Sequence, residues 1–98
     1  MTKDRIRTHP GTMLLEEFMK PLGLSANALA EELHVPANRI LAIIKGERAV
    51  TADTALRLGR YFGTTAELWI NLQAAHDLSL AKARRGKEIA REVNPRAA

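Results

Sequence analysis

Residues 24–46 read LSANALAEELHVPANRILAIIKG. Two short apolar patterns of helical period are packed into this stretch. Ala28, Leu29, Ala30 and Leu33 define one face, and Ile40, Ile43 and Ile44 define a second. Ser25 stands where a helix N-cap is wanted, since its hydroxyl can take up a backbone N–H that has no partner inside the helix. His34-Val35-Pro36 then breaks the pattern. Proline has no N–H to give to a continuing helix, but it suits the opening of the next one. Gly46 closes the second helix as a left-handed cap.

Two helices joined this tightly fit a helix-turn-helix. Such a unit needs a small residue where the helices cross, and Ala30 supplies it. Val35 supplies an apolar plug in the turn, and Ile40 and Ile43 supply inward anchors on the second helix. The first turn of that helix, Ala37-Asn38-Arg39, stays polar and small, as a helix tip must if it is to meet base edges in a DNA major groove. Asn38 has the donor–acceptor pair that matches adenine and Arg39 the fork that matches guanine. Ala37 and Ala42 are small enough to let the helix approach and to touch a thymine methyl. Lys45 and Arg48, at the far end, are expected on phosphate, where they fix register without reading sequence. The free N–H groups near Ser25 and Ala26 are a second expected phosphate site.

Outward from this core, the chain continues to read as helix. Met13, Leu14, Phe18 and Leu22 recur at spacings of three to five from Thr12 onward, and Pro21 and Gly23 stop that element. His9-Pro10-Gly11 before it reads as punctuation. Past the Glu47–Val50 loop, Thr51 caps a fourth helix with Asp53 in its first turn, and Ala55, Leu56, Leu58 and Phe62 are its expected buried stripe. Gly63 ends it. Thr64 and Glu67 have the spacing of a capping box for a fifth helix carrying Leu68, Trp69, Leu72, Ala75 and Leu78. Residues 1–8 are expected to be a flexible lead-in, residues 9–78 a single five-helix all-α domain, and residues 79–98 a basic extension. That extension is either helical, with Ile89 and Val93 docked, or a frayed tail weakened at Gly86.

The composition agrees. Ninety-eight residues make one domain with a single small core, 46% are hydrophobic, and only 4% are aromatic, so Leu, Ile, Ala and Val must fill it. With no cysteine there is no disulfide, thiolate metal site or cysteine nucleophile. A net charge of +4 suits a nucleic-acid partner without requiring one. Neither an apolar leader nor a run of the ~20 residues needed for a membrane span is seen, and a cytoplasmic protein is expected.

The order of motifs also resembles a known family. Residues 24–65 resemble the Cro/C1-type (XRE) helix-turn-helix of phage repressors. More narrowly, the HPG-M-L-EEF opening, V-P-x-N-R-I, TADTALRLGRYFGTT and WINLQ-x-x-D-L resemble HigA-family antitoxins over roughly residues 9–78. The resemblance implies a five-helix lambda-repressor-like domain that forms a homodimer through its C-terminal region. It implies binding to a palindromic operator of double-stranded DNA in its own promoter, as an autorepressor. It also implies neutralisation of a HigB-like toxin of the RelE family. Two positions depart from the family pattern. Ala26 stands where Gln is frequent, and His34 stands in the turn where Gly is usual; a non-Gly residue with positive φ is uncommon, though His is among the tolerated types.

Other classes are weaker. A stand-alone regulator of the same superfamily, without a toxin, is the alternative function. Trp69 and Leu72 read either as core or as a share of a dimer interface. His9, His34 and His76 fall on separate elements and suggest no metal site, and no cofactor is expected. Ser25 and Ser79 lack a nucleophile-elbow setting, Glu16 and Glu17 point to different helix faces, and no enzyme is expected.

Overall fold

The computed structural model describes residues 5–97; residues 1–4 of the expected lead-in and residue 98 of the extension lie outside that range. The described residues form five helices and no strand. Helix α1 covers residues 10–22, α2 Ala26–Leu33, α3 Ala37–Ile44, α4 Ala52–Phe62 and α5 Ala66–Glu92.

Caps set most of the boundaries. Ser25, Thr51 and Thr65 each accept the backbone N–H three residues on. The fifth cap is therefore Thr65, not Thr64, and the expected Thr64–Glu67 box does not form. Thr64 instead accepts the indole N–H of Trp69 at 2.9 Å, a partner that a buried tryptophan needs. Helix α1 starts earlier than its apolar pattern, at Pro10, because His9 Nδ1 caps the N–H of Gly11 at 2.9 Å. Its middle, Leu14–Met19, is a π segment. Leu14 and Met19, five residues apart, are both buried, and the Lys20 N–H donates to Leu15 five residues back. Pro21 sits in the last turn and Gly23, with φ 66°, is the stop.

The helix-turn-helix turn closes in the same way with a different residue. His34 is left-handed at φ 58°, the only non-glycine so placed among the described residues. Val35 N–H reaches Ala30 carbonyl at 3.0 Å and His34 N–H reaches Glu31 carbonyl at 3.2 Å. These bonds are a Schellman closure, and Val35 packs against the core.

The core gathers Leu14, Met19, Leu29, Leu33, Ile40, Ile43, Val50, Ala55, Leu58 and Trp69. Phe18 lies against Phe62 and Trp69 at its edge, at 4.8 and 5.3 Å. Two expectations about this core are corrected. Leu56 is 65% exposed, because the inward stripe of α4 is 55, 58, 59 and 62. Leu78 is also exposed, while Ser79 beside it is buried. Helix α5 runs through Gly86 without a break for 27 residues, about 40 Å of helix. Its residues after Leu80 are exposed except for a half-buried Gly86, and the molecule is 52 Å long. No helix among the described residues is long and apolar enough to cross a membrane.

Candidate nucleic-acid interface

Helix α3 is fixed from behind. Ile40 and Ile43 are fully buried, each contributing about 1.5–3 kcal/mol of apolar burial. The opposite side carries Asn38, Leu41 and Lys45, all exposed. Residues spaced three and four apart share a helix face, so these three side chains form one outward row. Leu41 was not among the expected reading residues, although its spacing from Asn38 would have found it. Ala37 and Ala42 are half-buried and narrow the helix beside that row. Ser25 and Arg48 are exposed; Ala26 is half-buried and packs against the core.

Both ends of α3 are held. At its C-terminal end, Gly46 takes φ 74° and Glu47 N–H closes on Ala42 carbonyl at 2.9 Å. The following Val50 N–H donates to Oε1 of the buried Gln73 on α5 at 2.8 Å, and Gln73 Nε2 donates to Asp77 at 2.9 Å. Gly11 lets the start of α1 press on the same end, since a Cβ there would fall 1.8 Å from the Ile43 carbonyl oxygen.

The N-terminal end is held by charge. Arg39, with a quarter of its side chain exposed, leans toward α4, its Nη1 3.8 Å from Asp53 Oδ1. Asp53 accepts Arg57 Nε at 2.6 Å, and Arg57 Nη1 donates to the Leu33 carbonyl at 2.9 Å, in the last turn of α2. That hydrogen bond from Arg57 holds the Asp53 carboxyl below its ordinary pKa. Neither Asp53 nor Arg57 stood out as a site residue in the sequence, because their link to Leu33 spans 24 residues.

The histidines are not all scattered. His9 and His76 meet edge to face with ring centroids 4.9 Å apart. His76 Nδ1 donates to the Arg7 carbonyl at 2.7 Å, and Arg7 N–H donates to Ser79 Oγ at 2.8 Å. Burial, and then the neighbouring His76, push His9 below its ordinary pKa. Among the described residues no three His, Asp or Glu side chains are grouped so as to hold a metal ion. Trp69 is fully buried within one protomer, in keeping with its reading as core; its indole is used on Phe18 and Thr64. Leu72 is half-buried against the same core.

Known proteins share this fold. The helix-turn-helix family model matches residues 15–69. Virulence-associated protein I of Dichelobacter nodosus is 57% identical over 74 residues, 76% of this chain and 68% of that one, so the match spans about two thirds of that curated relative. An addiction module antidote protein of the HigA family from Coxiella burnetii is 49% identical, with a TM-score of 0.88 over 94% of this chain and all of that one. Pseudomonas aeruginosa antitoxin HigA, solved with the higBA promoter, is 42% identical, with a TM-score of 0.90 over 95% of this chain and all of that one. This chain belongs to the helix-turn-helix family and, within it, to the HigA family.

Proposed function

We propose that this chain is a sequence-specific DNA-binding autorepressor and the antitoxin of a type II toxin–antitoxin pair, a binding protein with no reaction of its own, acting in the cytoplasm. The observation that carries the reading is the outward row of α3, exposed on a helix whose back and both ends are fixed. A rigid element that presents donors and a methyl-bearing side chain is what base readout needs. The likeness to an antitoxin solved with promoter DNA supports the same reading.

In this account Asn38 and Arg39 read base edges, with Ala37, Leu41 and Ala42 against the groove floor. Lys45 and Arg48, with the α2 start at Ser25 and Ala26, take phosphate. One copy offers few base contacts, so two copies act together on a palindrome, their α3 helices about 34 Å apart. With Trp69 buried, the face for the second copy falls to exposed apolar residues such as Leu56, Leu78 and Ile89, with Leu72 at the margin. The toxin partner is a HigB-like protein of the RelE type, a reading that rests on membership of the HigA family.

The test is a promoter-shift panel. Arg39→Ala is expected to lose about 1–3 kcal/mol of discrimination at one base position per half-site. Lys45→Ala is expected to weaken all duplexes alike and to reduce the salt slope by about one. Co-expression with a RelE-like toxin encoded beside this chain's gene should restore growth; no restoration would remove the antitoxin role and leave a stand-alone regulator.

A further inference from the structure

Two arginines flank the Asp53 carboxylate, and they are committed differently. Arg57 donates Nε to Asp53 at 2.6 Å and Nη1 to the Leu33 carbonyl at 2.9 Å. It is tied to two elements at once, and its work is to join the end of α2 to the start of α4. Arg39 approaches the same carboxylate only to 3.8 Å, beyond hydrogen-bond length, so it is held by charge alone. Its buried Nε has no partner. Among the described residues Arg39 therefore makes no side-chain hydrogen bond, while its head is held toward α4.

We infer that Asp53 is a positioning residue for base recognition: fixed by Arg57, its carboxylate restrains the Arg39 guanidinium while leaving its outer N–H groups free for a base. The inference rests on the base-reading role proposed for Arg39. Three features favour a positioning role over a purely structural one. Asp53 is 61% exposed at the side chain and buries no apolar surface of note, so its loss leaves the core intact. It lies in the first turn of α4, where an anion is stable without a partner. It also places a negative charge beside a surface that must meet phosphates. On affinity alone such a charge is unfavourable; as a restraint on Arg39 it has a use.

The restraint has a recognisable signature. Removing the charge while keeping the shape, as in Asp53→Asn, frees Arg39 to reach phosphate or solvent. Affinity for DNA in general is then held or raised, because an anion has left the interface, while the preference for the correct base falls.

The test uses the full chain and duplexes carrying the operator mapped by footprinting its own promoter, together with every single-base variant of one half-site. Wild type, Arg39→Ala, Asp53→Asn, Asp53→Glu and the Arg39→Ala/Asp53→Asn double variant are titrated against the set, with melting temperatures measured alongside. Asp53→Asn is expected to lose about fivefold discrimination, the scale of one exposed ion pair, at the same base position that Arg39→Ala affects. Asp53→Glu is expected to recover part of it. The double variant is expected to discriminate no worse than Arg39→Ala alone. If Asp53→Asn shifts every duplex by one common factor, or erodes discrimination equally when Arg39 is already alanine, the positioning role is wrong. A flat profile for Arg39→Ala itself would instead show that base reading by Arg39 has failed.

Discussion

Ile40 and Ile43, on the inner face of α3, are fully buried, whereas Asn38, Leu41 and Lys45, on its outer face, are exposed. One short helix with its C-cap thus divides into a side chosen by packing and a side left open. Burial constrains the inner side so strongly that its identity follows from apolar spacing alone. Among the described residues the outer side makes no side-chain hydrogen bond or ion pair, so its residues answer to whatever the helix meets. The same division separates Arg57, committed to the Leu33 carbonyl, from Arg39, which makes no side-chain hydrogen bond among the described residues.

This contrast makes stability and recognition separable by mutation. Ile43→Ala deletes a fully buried side chain and should cost about 2–5 kcal/mol, visible as a shift of the urea midpoint with little change in slope. A cost under about 0.5 kcal/mol, the size of an ordinary surface substitution, would mean that the inner face does not anchor the helix. His34→Gly acts in the opposite direction. Left-handed backbone is easier for glycine, so the variant should gain about 1 kcal/mol of stability with operator preference unchanged. A changed preference would show that the His34 ring itself takes part in recognition.

A smaller effect is expected from pH. His9 caps α1 through an unprotonated Nδ1, and its pKa in the fold lies below the ordinary 6.5. The unfolded chain therefore binds this proton more readily than the native one. Its contribution to stability is present above about pH 6.5 and is lost as pH falls through the lowered folded value. Among the groups that face the ring, His76 adds to the depression, while Asp77 and the Arg48 backbone temper it. His9→Asn keeps a capping oxygen that does not titrate, so melting curves measured between pH 7.5 and about 5 should fall less steeply for the variant than for wild type. Equal slopes would assign the acid loss elsewhere.

The sequence was most informative where a residue's role is local. Ser25 and Thr51 act as caps as their positions imply, and His34 adopts positive φ as its place in the turn requires. One-residue choices were harder. Thr64 and Thr65 are chemically equivalent as caps, and the decision came from Trp69, whose indole N–H takes Thr64. Leu56 matched an apolar window but not the period of the buried face. Contacts across long stretches left no local mark at all: His9 with His76, Val50 with Gln73, and Arg57 with Leu33 exist only because the helices bring them together. The reading tip was visible as composition, but the restraint on Arg39 was not, because Asp53 in a first turn looks like any acidic residue near a helix start.

The most direct measurement of the two-faced helix is binding to the chain's own promoter by the double variant Asn38→Ala/Arg39→Ala, with its melting temperature recorded on the same sample. The expected result is a melting temperature close to wild type and a loss of operator preference, leaving salt-sensitive, sequence-independent binding. Retention of wild-type preference in a folded double variant would contradict it.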